Sequence, residues 1–362
     1  MKKTIAIICD YCYISSEGSN VGTGGSETWT IEISKQLANN GYYVFVFSQN
    51  QIWSTFENNI EYIPIKNLEN IISHTRIDYT FIFRYIWKDT INILQKYINN
   101  KKVFWICHDT DCYIDNKTVH TEDIESIEWL KNNLNKFICM SDFCKECIQT
   151  NIQLPDDKFV IIGNGINFDL IQKNDNIQKD NNFFWSSRWE RGLPMFVYDV
   201  LPHIKNQYRN AKIYVAQYNG ELPDELLGHP DIIFLGKLNK TELYNEMQKH
   251  KVCFYPNFYP ETFCITVLEA ILCDNELVTT YNNGIKTTLS IFKDILLDPY
   301  TEYNDAECIK VAEDIIIKMN NYDMPDRKAI RNIMKSYILK TYSWENIYNQ
   351  FKKYILIDET RC

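Results

Sequence analysis

The sequence predicts an α/β protein made of two doubly wound, parallel-sheet halves in tandem. Three features predict this. Short apolar runs alternate with helical stretches along almost the whole chain, as strand–helix–strand units do. The first apolar run leads through a glycine-rich turn into a helix. After a polar stretch at 171–182 the same alternation begins again, with its own strand-to-helix turns.

The elements follow in order. Thr4–Cys9 is an apolar run of strand length. A Gly/Ser loop through Gly22, Gly24 and Gly25 follows, then a helical pattern over Ser26–Asn39 and a second strand at Tyr42–Ser48. This is a βαβ unit with a glycine-rich first turn. Further strands are expected at Tyr79–Arg84, Val103–Cys107, Lys136–Met140 and Phe159–Ile162. The segment Ile171–Asn182 is rich in Asn, Asp, Lys and Gln, has no apolar period and reads as a linker. Beyond it, Phe183–Ser186, Ala211–Ala216, Ile232–Leu235, Val252–Tyr255 and Glu276–Thr279 read as strands with helical stretches between them. The helical stretch Trp344–Ile355 lies far in sequence from the strands of its own half. It is expected to pack back on the N-terminal domain. The expected division is therefore 1–170, a linker at 171–182, 183–340, and a returning segment 341–362. Ligands of such sheets bind beyond the carboxyl ends of the strands, here expected in a cleft between the two domains.

Composition narrows the function. The chain has 362 residues, 45% of them hydrophobic and 23% charged, enough to bury two cores. A net charge of -9 without a basic stripe argues against a nucleic-acid partner. No apolar run approaches the roughly 18 residues of a membrane span. Met1-Lys2-Lys3 followed by Thr4–Ile8 resembles a secretory start, but Cys9-Asp10 ends its apolar stretch early, and it reads as the first strand. Twelve cysteines then point to a reducing, cytoplasmic setting and free thiols. Cys139, Cys144 and Cys147 have the C-x4-C-x2-C spacing of three iron–sulfur ligands. Ser141-Asp142-Phe143-Cys144 reads instead as a capped helix start.

Four segments carry chemistry. The Gly22-x-Gly24-Gly25-Ser26-Glu27 turn lacks the third glycine of a dinucleotide fingerprint. Ser48-Gln49 ends the second strand where an acidic residue would stand, which disfavours NAD. Its backbone can still approach a phosphate or sugar at a helix start. Arg188 and Arg191, three apart after a strand, can clamp a diphosphate. In the segment Tyr255–Leu272, Glu261 lies in a Pro- and aromatic-rich loop, and Glu269 lies in a helix whose neighbours are nearly all apolar. A carboxylate there needs partners, either ligand hydroxyls or backbone N–H groups. Asp109-Thr110-Asp111, after an apolar strand, is the fourth.

The Glu261/Glu269 segment resembles the E-x7-E element of retaining GT-B glycosyltransferases, specifically glycosyltransferase family 4. The resemblance runs through the chain in the family's order. It takes in Gly24-Gly25-Ser26-Glu27, His108-Asp109, Ser141, Ile162-Gly163-Asn164-Gly165-Ile166-Asn167, Arg188 with Arg191-Gly192, Phe234-Leu235-Gly236, Val278 to Gly284 and Ser343-Trp344-Glu345. It implies a GT-B fold and hexosyl or related transfer from a nucleotide-diphosphate sugar, with UDP-sugars favoured over GDP-sugars. No cofactor or metal is implied, and the acceptor is left open as a glycan, a lipid-linked group or a protein, with peripheral membrane contact allowed. By the same resemblance Arg188 and Arg191 neutralise the donor diphosphate, Glu261 binds sugar hydroxyls, and Glu269 accepts from the ribose. Backbone N–H groups of Phe263, Cys264 and Ile265 hold sugar and phosphates. His108 sits beside sugar and acceptor, Gly24 and Gly25 line the phosphate side, and Lys237 with Gly236 meets the base.

The sequence departs from the family in places. Arg191 replaces a usual lysine, Cys264 and Asp274 stand where glycine is common, and Asn283-Gly284 replaces Gly-Gly. The rival reading takes Asp109 and Asp111 as the D-x-D of a metal-dependent GT-A glycosyltransferase. A sugar-nucleotide epimerase or a binding-only relic of the GT-B fold is the other alternative.

Overall fold

The computed structural model describes residues 2–10, 14, 24–49, 51–98, 102–114, 117–118, 124–171, 177–217, 221–256, 258–295 and 304–356. Gly22, residues 172–176 of the expected linker and Cys362 lie outside these.

The chain forms two compact units. One comprises the described residues up to Gly165 together with those from Trp344 onward, and the other spans Ile166–Ser343. The first is built on β1 (Thr4–Cys9), β2 (Tyr43–Ser48), β3 (Thr55–Glu57), β4 (Ile60–Pro64), β5 (Tyr79–Phe83), β6 (Tyr85–Ile86), β7 (Lys102–Cys107), β8 (Tyr113–Ile114), β9 (Lys117–Thr118), β10 (Leu134–Cys139) and β11 (Phe159–Ile161). Its main sheet has the order β11-β10-β7-β5-β1-β2-β4-β3 and is parallel apart from the β3 edge. Helices cover both faces of such a sheet, so its central strands read as unbroken apolar runs rather than alternating ones. β1, β5 and β7 show this, with Ile5, Ile7, Ile8, Phe81, Ile82 and Ile106 all sealed from water. The helix Gly25–Asn39 buries Trp29, Ile33 and Leu37. The helix Trp344–Tyr354 packs in this unit: Phe351 meets Trp29 and Phe81 at ring-centroid distances of 6.1 and 5.1 Å.

The second unit carries β12 (Asp180–Trp185), β13 (Ile213–Ala216), β14 (Ile232–Gly236), β15 (His250–Tyr255) and β16 (Glu276–Thr279). These form a parallel sheet in the order β14-β13-β12-β15-β16. Each unit is thus a Rossmann-like doubly wound sheet. In the first the strand order reverses between β1 and β5, and in the second between β12 and β15. Those reversals open crevices at the carboxyl ends, the usual ligand position of the architecture.

The expected linker is corrected. The chain passes from one unit to the other after Gly165, Ile171 packs in the core of the second unit, and β12 begins at Asp180. The polar start of β12 is held by long-range partners: Asp180 bonds His250, and the Asn182 side chain accepts from the Lys212 N–H at 2.9 Å. Likewise the return to the first unit comes after Ser343, and residues 341–343 stay with the second. A side chain at Gly165 would collide with the Trp344 ring, so glycine there is a condition of that helix's packing.

Candidate active site

The predicted residues fall on both units.

In the second unit, the loop after β12 carries Ser187, Arg188 and Arg191, and the loop after β15 carries Glu261. β12 and β15 flank the reversal of the sheet, so topology brings these loops together although about seventy residues separate them. The Arg191 guanidinium donates to Glu261 Oε1 and lies over the Tyr259 ring, 4.4 Å from its centroid. The Tyr255 hydroxyl donates to the same carboxylate oxygen at 3.2 Å and meets Ser187 Oγ at 3.3 Å. Burial, and next the Glu261 charge, push the Tyr255 phenol well above its ordinary pKa, so it stays a donor. Arg188 is half exposed and reaches Glu190 Oε1 at 2.7 Å. The site therefore sets the Arg191 guanidinium against a mostly enclosed carboxylate, with Arg188 in the same loop as Arg191. Diphosphate and sugar hydroxyls together need such a set.

Glu269 lies buried on the helix Ile265–Leu272. Lys240 Nζ at 2.5 Å and the Tyr244 hydroxyl at 2.9 Å both donate to its Oε1. Sequence reading missed these two, because they come from a different helix, Lys240–Met247, whose only local signature is its Asn239/Glu242 capping box. Phe263 and Cys264 are buried and Ile265 partly so, at the start of the Glu269 helix. Lys237 is exposed just past β14.

The three departures from glycine share one physical feature. Cys264, Asp274 and Asn283 have φ of 70, 64 and 45°, the left-handed region in which glycine is at ease. At Gly284 the glycine is kept, and there a side chain would strike the carbonyls of Thr262 and Glu261, while its N–H donates to Glu261 O at 2.7 Å. The backbone that presents Glu261 thus depends on Gly284.

In the first unit, His108 follows β7 and packs against Phe83 and Trp29, with ring centroids 5.1 and 5.8 Å away. Burial, then the charge of Arg84, hold its imidazole well below the ordinary histidine pKa, so it is neutral at pH 7. Trp29 belongs to the helix that starts at Gly25. The Gly24 carbonyl caps that helix's first turn, accepting from Thr28 N–H at 3.1 Å and Thr28 Oγ1 at 2.9 Å. Asp109 is gripped at both oxygens by Arg84, at 2.8 and 2.9 Å, and Asp111 accepts from the Cys112 N–H at 2.7 Å. Arg84 itself sits at φ 60°. The GT-A reading is overturned by the fold, since the second half is a full Rossmann-like unit and not an appendage. The cysteine triplet is a helix start: Ser141 Oγ accepts the Cys144 N–H at 3.1 Å. Among the described residues no group of three or more His, Cys, Asp or Glu is arranged to hold a metal ion.

Comparison with known proteins agrees with this fold. Residues 23–170 match the family described as Glycosyltransferase Family 4, and residues 180–306 match Glycosyl transferases group 1. The lipopolysaccharide 1,2-N-acetylglucosaminetransferase of Salmonella typhimurium is 25% identical over 154 residues, 41% of this chain. That match spans only 38% of the relative's length. Among solved structures, a glycosyltransferase from Rickettsia africae superposes with a TM-score of 0.70 at 15% identity, covering 99% of this chain and 100% of the other. Anabaena Alr3699/HepE in complex with UDP-glucose superposes at 0.66 and 12% identity, covering 97% and 98%. These two likenesses establish the fold, and the two family matches between them take in most of the sequence. The chain belongs to the GT-B glycosyltransferases of the family 4 and group 1 type.

Proposed function

We propose that the protein transfers a hexosyl or related group from a nucleotide-diphosphate sugar to an acceptor, with retention of anomeric configuration. UDP is the favoured nucleotide, in keeping with the UDP-glucose held by the Anabaena neighbour. The observation that carries this reading is the pairing of Arg191 with Glu261, with Arg188 nearby, at the strand-order reversal of the second sheet. A donor's anomeric carbon joins sugar to phosphate. A carboxylate for the sugar and a guanidinium for the phosphate must therefore lie side by side.

The mechanism follows from charge. Breaking the anomeric C–O bond puts negative charge on the departing diphosphate and positive charge on the ring. Arg188 and Arg191 would stabilise the first, and Glu261 would hold the sugar that carries the second. On this reading the diphosphate replaces Glu190 as the partner of Arg188. The ribose shares Glu269 with Lys240, and the leaving phosphate oxygen takes the acceptor's proton from the same face. His108, being neutral, would accept or donate a hydrogen bond beside the sugar without adding charge. The two arginines supply the positive charge that a metal ion supplies elsewhere, so we propose a metal-independent reaction.

Thermal unfolding with UDP, GDP and ADP, each with and without EDTA, tests this. At a hundred times its dissociation constant a nucleotide adds about 2.7 kcal/mol, which raises the melting temperature of a unit this size by about 5–10 °C. UDP is expected to do so with EDTA present. Loss of the shift in EDTA would sink the metal-free reaction, and no shift from any nucleotide would sink the donor assignment.

A further inference from the structure

At the carboxyl end of the first sheet four cysteines converge. Cys107 and Cys139 are register partners on the adjacent strands β7 and β10. Cys144 comes from the first turn of the helix Asp142–Ile152, and Cys112 from the loop after His108. All four are fully enclosed and belong to one core cluster. Two of them, Cys107 and Cys144, lie with their sulfurs against the loop that carries His108. Cys107 Sγ lies 3.3 Å from Asp109 O and 3.5 Å from Asp111 O, and Cys144 Sγ lies 3.6 Å from Cys107 O and 3.4 Å from Asp109 O. Two sulfurs thus converge on one carbonyl oxygen. One helical turn beyond Cys144, Cys147 is partly exposed.

We propose that Cys107 and Cys144 are a reversible redox-modification site, closing to a disulfide by exchange with a small disulfide such as glutathione disulfide that enters through Cys147. The Cys147 thiolate attacks one sulfur of glutathione disulfide, breaking its S–S bond and releasing one glutathione. Cys144 displaces the second glutathione from Cys147, and Cys107 then attacks Cys144 and returns Cys147 to a thiol. Two protein thiols are oxidised by two electrons, one glutathione disulfide is reduced to two glutathiones, and the two thiol protons leave with them. Cys144 suits the central position. It lies one helical turn from Cys147, and its Sγ and Cys107 Sγ approach the same Asp109 carbonyl, at 3.4 and 3.3 Å. Closing the bridge removes both thiol donors, so the carbonyls of Cys107, Asp109 and Asp111 lose those partners and the His108 loop loosens.

The test uses the full chain. It is incubated with glutathione disulfide until the free-thiol count is constant, then acid-quenched, alkylated in denaturant and digested. Tandem mass spectrometry separates Cys107 from Cys112 and Cys139 from Cys144. The expected result is one cross-link, Cys107 to Cys144, with two alkylation sites lost and both restored by dithiothreitol. The link should survive Cys112→Ser and Cys139→Ser, and form about tenfold more slowly in Cys147→Ser. A wild-type chain that keeps every thiol overturns the proposal, as does a stable link between any other pair. Unchanged kinetics in Cys147→Ser overturns the entry route. Because His108 is assigned by the proposed function, a second arm measures sugar transfer: the cross-linked protein should be about fivefold slower. If the reduced protein is inactive, the transferase reading fails while the cross-link result stands.

Discussion

Asp274 shows two residue-scale effects in opposition. Its φ of 64° costs about 1 kcal/mol against glycine. Its carboxylate meets Lys335, Arg331 at 3.2 Å and the Tyr322 hydroxyl at 2.7 Å, and Arg331 is almost wholly buried. Hydrogen bonds to charged groups contribute about 1.5–3 kcal/mol each, so the network outweighs the strain. Asp274→Gly is expected to destabilise the protein by about 2 kcal/mol in chemical denaturation; a stabilised variant would show that strain dominates. Burial raises the Asp274 pKa, but the Lys335 and Tyr322 bonds outweigh this and hold it below its ordinary 3.8. Its contribution is therefore present above pH 3.8 and lost as the pH falls through the lowered value. Arg188 makes the contrasting case. It is half exposed and pairs with the exposed Glu190. Arg188→Ala is expected to leave the melting temperature unchanged and lower kcat by about 10²–10³-fold, the effect of losing one preorganised donor. Near-normal turnover would remove Arg188 from the mechanism. Arg188, Arg191 and Glu261 stand out in the sequence because the loops after β12 and β15 cluster charge and aromatics in short stretches. Lys240 and Tyr244 do not, because nothing near them in sequence shows that they will face Glu269.

Among elements, the strands of both sheets were readable because burial on two faces forces unbroken apolar runs. β3 and β4 were not: Ile60-Glu61-Tyr62-Ile63-Pro64 is short, mixed and ends in proline, and its pairing with β2 comes from the tertiary structure. The polar start of β12 was hidden for a related reason, since Asp180 becomes strand through its pairing with His250 at the start of β15. That pair makes a testable element. His250 Nδ1 lies 2.7 Å from Asp180 Oδ1, Nε2 lies 3.6 Å from Glu246, and Phe184 and Tyr214 stack against the ring. Burial pulls the imidazole pKa down, but the hydrogen bond to Asp180 and the charges of Asp180 and Glu246 outweigh it and raise the value above the ordinary 6.5. A raised histidine contributes stability that is complete below pH 6.5 and is lost as the pH rises through the folded value. The stability gap between wild type and His250→Gln should therefore be widest near pH 5.5 and shrink towards pH 9. A gap independent of pH would mean that the ring acts only by packing.

At the scale of the whole molecule, the chain ends in a different unit from the one it has just built. Residues 166–343 complete the second unit, and Trp344 onward returns to the first. The sequence made this return legible through the isolation of the Trp344–Tyr354 pattern from the strands before it, although it placed the boundary a few residues early. The returning helix is not an accessory. Trp344, Ile347, Tyr348 and Phe351 are all buried, and Trp344 lies on Gly165. Each such side chain contributes about 1.5–3 kcal/mol, so together they hold about 6–12 kcal/mol. That is comparable to the whole stability of a typical domain, about 5–15 kcal/mol. Ending the chain after Ser343 should therefore unfold the first unit and leave the second folded, because the second unit's sheet and its Ile166–Ser343 bridge are intact. Limited proteolysis of the truncated chain is expected to digest residues up to Gly165 and spare a fragment beginning near Ile166. That fragment should still be stabilised by UDP if Arg188, Arg191 and Glu261 are the donor site. Equal digestion of both units would show that the second cannot stand without the first. A truncated chain that resists protease throughout would show that the helix contributes far less than its burial implies.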